Sequence, residues 1–400
     1  MSEFVISASS NRVPKILLWT TNLLSIVGSI FNYVYLSYYL YRATGSQILS
    51  QFIFFSQMLL PVLLVVWIQR LSQSYSPRIL LVYANALALA VCLVIYPFLD
   101  MAPTVALAAS LLIGVLDAVQ RVARIVAIKI IFSPGEVKGA VPLTLTAQFV
   151  AGGLAGGVLA LFRDNTTPVS ALAVSCILFA GAMIAAWGLP QSPVEARPAP
   201  TSSMAFIKEF ISMANAQPRL KQSFLAFVTF IGVFQGFFNV SRVVLPAHVL
   251  HLNEEYVGLL QLVNSGAALV GALIFYKLNS KGTRFSPLLM TAISGGTMIV
   301  AAQGLGAQSS FIFFFFYILF FEFAFFRLQA DIVATSSPAQ MPLVAAMQYA
   351  CVYAGMIIAI LIGGVLVDAI GLGITSIAFA ISYIILLFLC PILRPIREYE

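Results

Sequence analysis

The chain is short of almost everything from which a water-soluble protein or an enzyme is built. Only 9% of its 400 residues are charged and 61% are hydrophobic, outside the range of soluble globular domains. Two histidines and four cysteines leave no cluster at metal-ligand spacing, so neither a metal nor another cofactor is expected. Cys92, Cys176, Cys351 and Cys390 all fall inside apolar stretches, which argues against a disulfide framework. His248 and His251 read as structural or interfacial residues at the outer end of one such stretch. No G-x-x-x-x-G-K-[ST] loop occurs, which excludes ATP hydrolysis by that route. No polar segment is long enough for a soluble catalytic domain, so the chain is not expected to be an enzyme.

What it does have is long apolar runs. A helix needs roughly 20 mostly apolar residues to cross a bilayer core. Twelve stretches qualify: 16–40, 47–68, 78–99, 104–130, 140–162, 167–189, 223–250, 255–277, 285–305, 309–333, 342–367 and 374–394. They are continuous rather than alternating, which excludes an outer-membrane barrel and predicts an all-α membrane protein. The polar start, with Arg12 and Lys15, lacks the small-residue cleavage site of a signal peptide. The net charge of +7 has its origin in topology, not in nucleic-acid binding. Lysines and arginines gather at the two ends and in the even-numbered connections, among them Arg70, Arg78, Lys129, Lys138, Arg197, Lys208, Lys277 and Arg394. Only Arg42 and Arg163 fall on the opposite side. That bias predicts both termini in the cytoplasm.

The second half repeats the first at an offset of 207. Phe31-Asn32 returns as Phe238-Asn239, and Arg124-Ile125-Val126-Ala127 as Asp331-Ile332-Val333-Ala334. Leu154 to Leu159 return as Leu361 to Leu366. A rival register of 200 sets Pro142-Leu143 and Gln148 against Pro342-Leu343 and Gln348, but three regions agree on 207. Tandem halves in a membrane protein point to a transporter with its site between them. The one sizeable polar break, 190–222, divides the chain into a bundle at 1–189, a cytoplasmic linker and a bundle at 223–400. Within the linker, Ser203 can cap a short amphipathic helix with Phe206, Ile207, Phe210 and Ile211 on one face.

Charge inside the membrane is costly and faces a cavity or a partner. The fourth stretch carries Asp117, Arg121 and Arg124 at spacings of four and three, on one helical face. The tenth carries Glu322, Arg327 and Asp331, and the seventh carries Arg242 one turn after Asn239. Asp117–Arg121 and Arg327–Asp331 can be internal ion pairs; Arg124, Arg242 and Glu322 remain after that pairing. Arginines facing a water-filled cavity favour an anionic or aromatic small-molecule substrate, because a guanidinium is flat, bonds hydrogen and stacks. Arg121, Arg124, Arg242, Asn32 and Asn239 are therefore the candidate substrate-binding residues. Glu322 lies within Phe320-Phe321-Glu322-Phe323-Ala324-Phe325-Phe326, where burial disfavours the charged form. It is the first candidate proton carrier, followed by Asp331 and Asp117. A Glu322–Arg242 bridge is the competing expectation. Gly152, Gly153, Gly156, Gly157, Gly363 and Gly364 permit close helix contact.

These residues resemble the major facilitator superfamily, and the first three spans resemble its drug and siderophore efflux branch of enterobactin exporters and macrolide pumps. The resemblance rests on Thr44-Gly45-Ser46 after the first span, Pro61 in the second, and Gly114 with Val122-Ala123-Arg124 in the fourth. It departs in the second-to-third loop, Gln69-Arg70-Leu71-Ser72-Gln73-Ser74-Tyr75-Ser76-Pro77-Arg78, where Gln73 stands in place of an acidic residue. The fifth span lacks the Gly-Pro of the antiporter signature, and Asn32 lies near where proton antiporters often carry an acid. The resemblance implies a monomeric secondary transporter of the bacterial inner membrane, working by alternating access. Its expected activity is proton-coupled export of a siderophore, peptide antibiotic or drug. Alternatives are proton symport of iron chelates or peptides on the same fold, and lipid flipping.

Overall fold

The computed structural model describes residues 12–45, 47–102, 104–133, 136–137, 140–141, 144–148, 150–154, 167–191, 203–252, 255–280 and 286–390. In chain order its helices are α1 (Arg12–Thr44), α2 (Gln47–Leu63), α3 (Val65–Ser74), α4 (Pro77–Ile95), α5 (Val105–Ile131) and α6 (Pro168–Trp187). There follow α7 (Ser203–Ala216), α8 (Pro218–Val244), α9 (Glu255–Ser280), α10 (Pro287–Ala302), α11 (Ala307–Thr335) and α12 (Met341–Leu389). Among the described residues eight helices are long and apolar enough to cross a membrane, and α10 is a shorter apolar helix.

Helix boundaries follow from local chemistry. α4 and α10 each begin Ser-Pro: the hydroxyls of Ser76 and Ser286 accept from the N–H three residues on, both at 3.4 Å, and proline fills the first helical position. Thr167 and Ser170 form a capping box ahead of α6. Gly45 follows α1 with positive φ, and Gly304 and Gly306, also at positive φ between α10 and α11, keep α10 short of its expected 285–305. The expected spans 342–367 and 374–394 run as the one stretch α12, broken where Gly371 turns to φ 78° and ψ 163°. The expected second span is interrupted at Leu64, three residues beyond Pro61. Of the expected fifth span, the described residues 140–141, 144–148 and 150–154 are helical; Gly156, Gly157 and Arg163 lie outside the described residues.

The chain divides into two compact units, one of residues 1–199 with 338–345, the other of 200–337 with 346–400. In lipid, helices associate through close packing and interhelical hydrogen bonds rather than through the hydrophobic effect. The first unit uses polar ties. Asn32 on α1 donates to the Ser175 hydroxyl of α6 at 3.0 Å and to the Gly28 carbonyl at 2.7 Å. Its carbonyl oxygen accepts from the Tyr96 hydroxyl at 2.6 Å and the Cys92 thiol at 3.5 Å, the latter on α4. At the other end of α1, Lys15 pairs with Glu136 at 3.0 Å and Trp19 donates to Thr146 at 2.9 Å.

The second unit relies on aromatic packing and small residues. Phe230, Phe234, Phe237, Phe314 and Phe326 are fully buried, and Phe230 stacks on Phe321 with centroids 4.9 Å apart. The Tyr317 hydroxyl donates to the Phe234 carbonyl at 2.6 Å. Gly232 and Gly236 of α8 meet Gly355 and Ala359 of α12, so these two helices cross backbone to backbone.

Candidate functional site

The first cluster of buried charge is built on α5. Four- and seven-residue spacings bring Arg121 and Arg124 to the face that holds Asp117. Arg121 Nε donates to Asp117 Oδ2 at 2.7 Å, and Arg124 Nη2 lies 3.7 Å from Asp117 Oδ1. Asp117 and Arg124 are buried, and Arg121 is partly exposed. One carboxylate thus serves two guanidiniums. The Gln120 amide donates to Asn85 Oδ1 of α4 at 3.4 Å, and the Asn85 amide donates to the Leu81 carbonyl at 2.7 Å.

The second cluster lies on α11 and reverses the order. Arg327 Nε is 3.4 Å from Asp331 Oδ2, arginine first and aspartate four residues later, with both side chains partly exposed. Glu322 is 3% exposed, and its Oε2 has no hydrogen-bond partner among the described residues. Gly271 of α9 makes room for it. A Cβ at that glycine would meet Glu322 Cβ at 3.3 Å and the Leu319 carbonyl at 3.2 Å. The carboxyl side chain therefore leaves α11 at its close contact with α9. Two turns on, Gln329 forms a reciprocal amide pair with Gln348 of α12.

The expected Glu322–Arg242 bridge is absent among the described residues: Glu322 makes no ion pair, and Arg242 meets no described carboxylate. Arg242 is half-buried at the end of α8. The Asn239 amide donates to the Gln235 carbonyl at 2.9 Å, the same four-residue bond that Asn32 makes to Gly28. Asn32 is fully buried and engaged on both amide atoms. His248 and His251 are exposed, His248 within the π-helical segment Leu245–Val249 and His251 two residues beyond it.

Each of the residues singled out in the sequence thus stands within one unit. Asn32, Asp117, Arg121 and Arg124 belong to the first, and Asn239, Arg242, Glu322 and Asp331 to the second. The buried amide pairs Gln329–Gln348 and Asn85–Gln120 escaped the sequence reading. The available signal was a glutamine seven residues from Glu322, and so on its helical face.

No protein-family model and no curated protein sequence matches the chain. Solved structures do. The human organic anion transporter MFSD10 superposes with a TM-score of 0.74 at 13% identity, over 96% of this chain and 99% of that one. The E. coli fucose:proton symporter FucP gives 0.71 at 14%, over 95% and 99%. An outward-facing bacterial homologue of the iron transporter ferroportin gives 0.70 at 11%, over 94% and 98%. FucP is a Major Facilitator Superfamily transporter. At such low identity these likenesses establish the fold: an all-α membrane protein of twelve spans in two repeated six-helix bundles.

Proposed function

We propose that the chain is a secondary transporter working by alternating access of its two bundles, 1–189 and 223–400. Its cargo is a small organic molecule, anionic or aromatic. The observation that carries this reading is arginine within membrane-length helices of a transporter fold, Arg121 and Arg124 on α5 and Arg242 on α8. Asp117 is shared between Arg121 and Arg124, and Arg242 has no carboxylate among the described residues. A guanidinium presents a flat fork of donors, which an anionic guest meets with bidentate acceptors. The fold likeness to an organic anion transporter is consistent with that guest.

In this reading Arg121, Arg124, Arg242 and Asn239 contact the substrate, and Asn32 fixes the wall behind it. Export is driven by proton entry, with Glu322 as the carrier and Asp331 and Asp117 as further titrating groups. A carboxylate at the α9–α11 contact pays for desolvation, and taking up a proton removes that cost and lets the helices stay closed. Siderophores, peptide antibiotics and acidic drugs are the candidate cargoes, and the membrane is the bacterial inner membrane with both termini cytoplasmic. Proton symport in the opposite direction is the second reading, favoured by the fold likeness to a fucose:proton symporter.

Proteoliposomes loaded with a pH-sensitive dye test both. A panel of organic anions, neutral sugars and cationic drugs is presented under an imposed proton gradient. The expected result is anion movement opposite to the proton, lost in Glu322→Gln while anion binding is kept. Proton-driven transport that survives Glu322→Gln overturns the carrier assignment, and movement of cations alone overturns the substrate class.

A further inference from the structure

Helix α7, between the two halves, carries more apolar surface than its protein contacts use. Phe206, Phe210 and Ala214 are buried, and Phe210 meets Phe224 of α8 with ring centroids 4.6 Å apart. At 100° per residue the apolar arc does not stop there. It continues onto an adjoining flank formed by Met204, Ile207 and Ile211, which are 61%, 42% and 51% exposed. The two flanks together span about half of the helix circumference, so only one half of the arc is covered by protein.

The surroundings of the bare flank are basic. Lys208 borders it on the polar side, and Arg219 and Lys221 stand at the start of α8, with Lys221 Nζ donating to Asn215 Oδ1 at 2.8 Å. Glu209, the acidic residue of α7, lies on the far side of the polar face. α7 ends two residues before α8, which is apolar enough to cross a membrane from Pro218. The bare stripe is therefore held at the level where a bilayer begins. Apolar residues edged by lysine and arginine are what an interfacial helix presents to lipid.

We infer that α7 is wedged between the second bundle and the bilayer. Phe206 and Phe210 face protein, Met204, Ile207 and Ile211 enter the acyl–headgroup boundary, and Lys208, Arg219 and Lys221 bind anionic headgroups. The linker is then a membrane-anchored strut that responds to the charge of the lipid, not a free tether. The inference rests on the membrane placement of α8 and stands whatever the cargo is.

Site-specific photocrosslinking in nanodiscs tests it with the full chain. A benzophenone amino acid is placed at Ile207, at Ile211 or, on the polar face, at Ser212, in discs of equal phosphatidylglycerol and phosphatidylcholine. Lipid adducts by mass spectrometry are expected to be several-fold more abundant from 207 and 211 than from 212, and enriched in phosphatidylglycerol. Lys208→Gln should reduce that enrichment by roughly five-fold, the effect of one basic charge near an anionic surface. Equal adducts from all three positions, or crosslinks from 207 and 211 to a second copy of the chain, overturn the bilayer assignment. Enrichment unchanged in Lys208→Gln overturns the anionic-headgroup contact.

Discussion

The crossing of α8 and α12 allows a sharp test, because two glycines one turn apart on α8 are predicted to respond in opposite ways. A Cβ added at Gly232 would meet the Gly355 Cα at 3.8 Å, an ordinary contact. A Cβ added at Gly236 would overlap the Cβ of Ala359, whereas the Ala359 Cα lies 3.7 Å away. Overpacking of this kind costs about 1–3 kcal/mol, and alanine recovers at most about 1 kcal/mol over glycine in a helix. Both alanines share that gain, so Gly236→Ala should end about 1–3 kcal/mol less stable than Gly232→Ala, which should itself lose nothing or gain slightly. For a unit of this size each kcal/mol moves the melting midpoint by about 2–4 °C.

The assay is thermal unfolding in detergent, followed by the monodisperse fraction on size exclusion. Gly236→Ala should melt about 2–12 °C below Gly232→Ala. Adding Ala359→Gly removes the overlapping methyl, leaves the 3.7 Å contact, and should restore most of the loss. Equal melting of the two single variants would refute the geometry, as would failure of Ala359→Gly to rescue. Transport should follow the same order, since Asn239 and Arg242 lie on α8 within two turns of Gly236.

Two further outcomes follow from the buried polar groups. Asp117→Asn withdraws the carboxylate on which Arg121 and Arg124 both lean, and breaking a buried pair in this way costs about 3–5 kcal/mol. The folded yield and melting midpoint should fall sharply; a change under about 1 kcal/mol would mean that the cluster is solvated like a surface pair. Gln348→Leu strands the amide of Gln329, at about 1–3 kcal/mol. The double variant with Gln329→Leu should be closer to the parent, because no polar atom is left without a partner. A double-mutant cycle in the same melting assay reads that coupling, and additive losses would count against the pair.

The spans were legible because an apolar run of bilayer length has few alternatives as a structure. The buried charges were legible for a related reason: Asp117, Arg121, Glu322 and Arg327 each interrupt a run that tolerates no ionised group without a purpose. The amides were not. Gln329, Gln348, Asn85 and Gln120 are ordinary on a helix surface, and their burial depends on which face meets a neighbour, something fixed by crossing angles rather than composition. The second span read as continuous because Pro61 is compatible with a helix; the departure comes later, at Leu64, where φ is −102° and ψ is 13°. The Glu322–Arg242 bridge was a charge-matching expectation. It fails because Glu322 leaves α11 beside Gly271 on α9, next to the Phe321 that stacks on Phe230, whereas Arg242 lies in the last turn of α8, about three turns beyond Phe230.

The repeat is sounder as backbone than as chemistry. Asn32 and Asn239 each bond the carbonyl four residues back, 207 residues apart. The two Ser-Pro caps are 210 apart, so the register slips by three between the first and third spans of each half. Side chains then diverge on this shared frame. Asn32 has its amide nitrogen on Ser175 and its oxygen on Tyr96, whereas the Asn239 oxygen meets no described donor. Of two equivalent asparagines, one holds its bundle together and the other keeps an acceptor to offer. The ion pairs diverge likewise: Asp117 precedes Arg121, but Arg327 precedes Asp331. Among the described residues, Arg242 without a carboxylate and Glu322 without an ion pair both fall on the second half. Duplication supplied two similar scaffolds, and the polar side chains they carry then diverged in partner and in order.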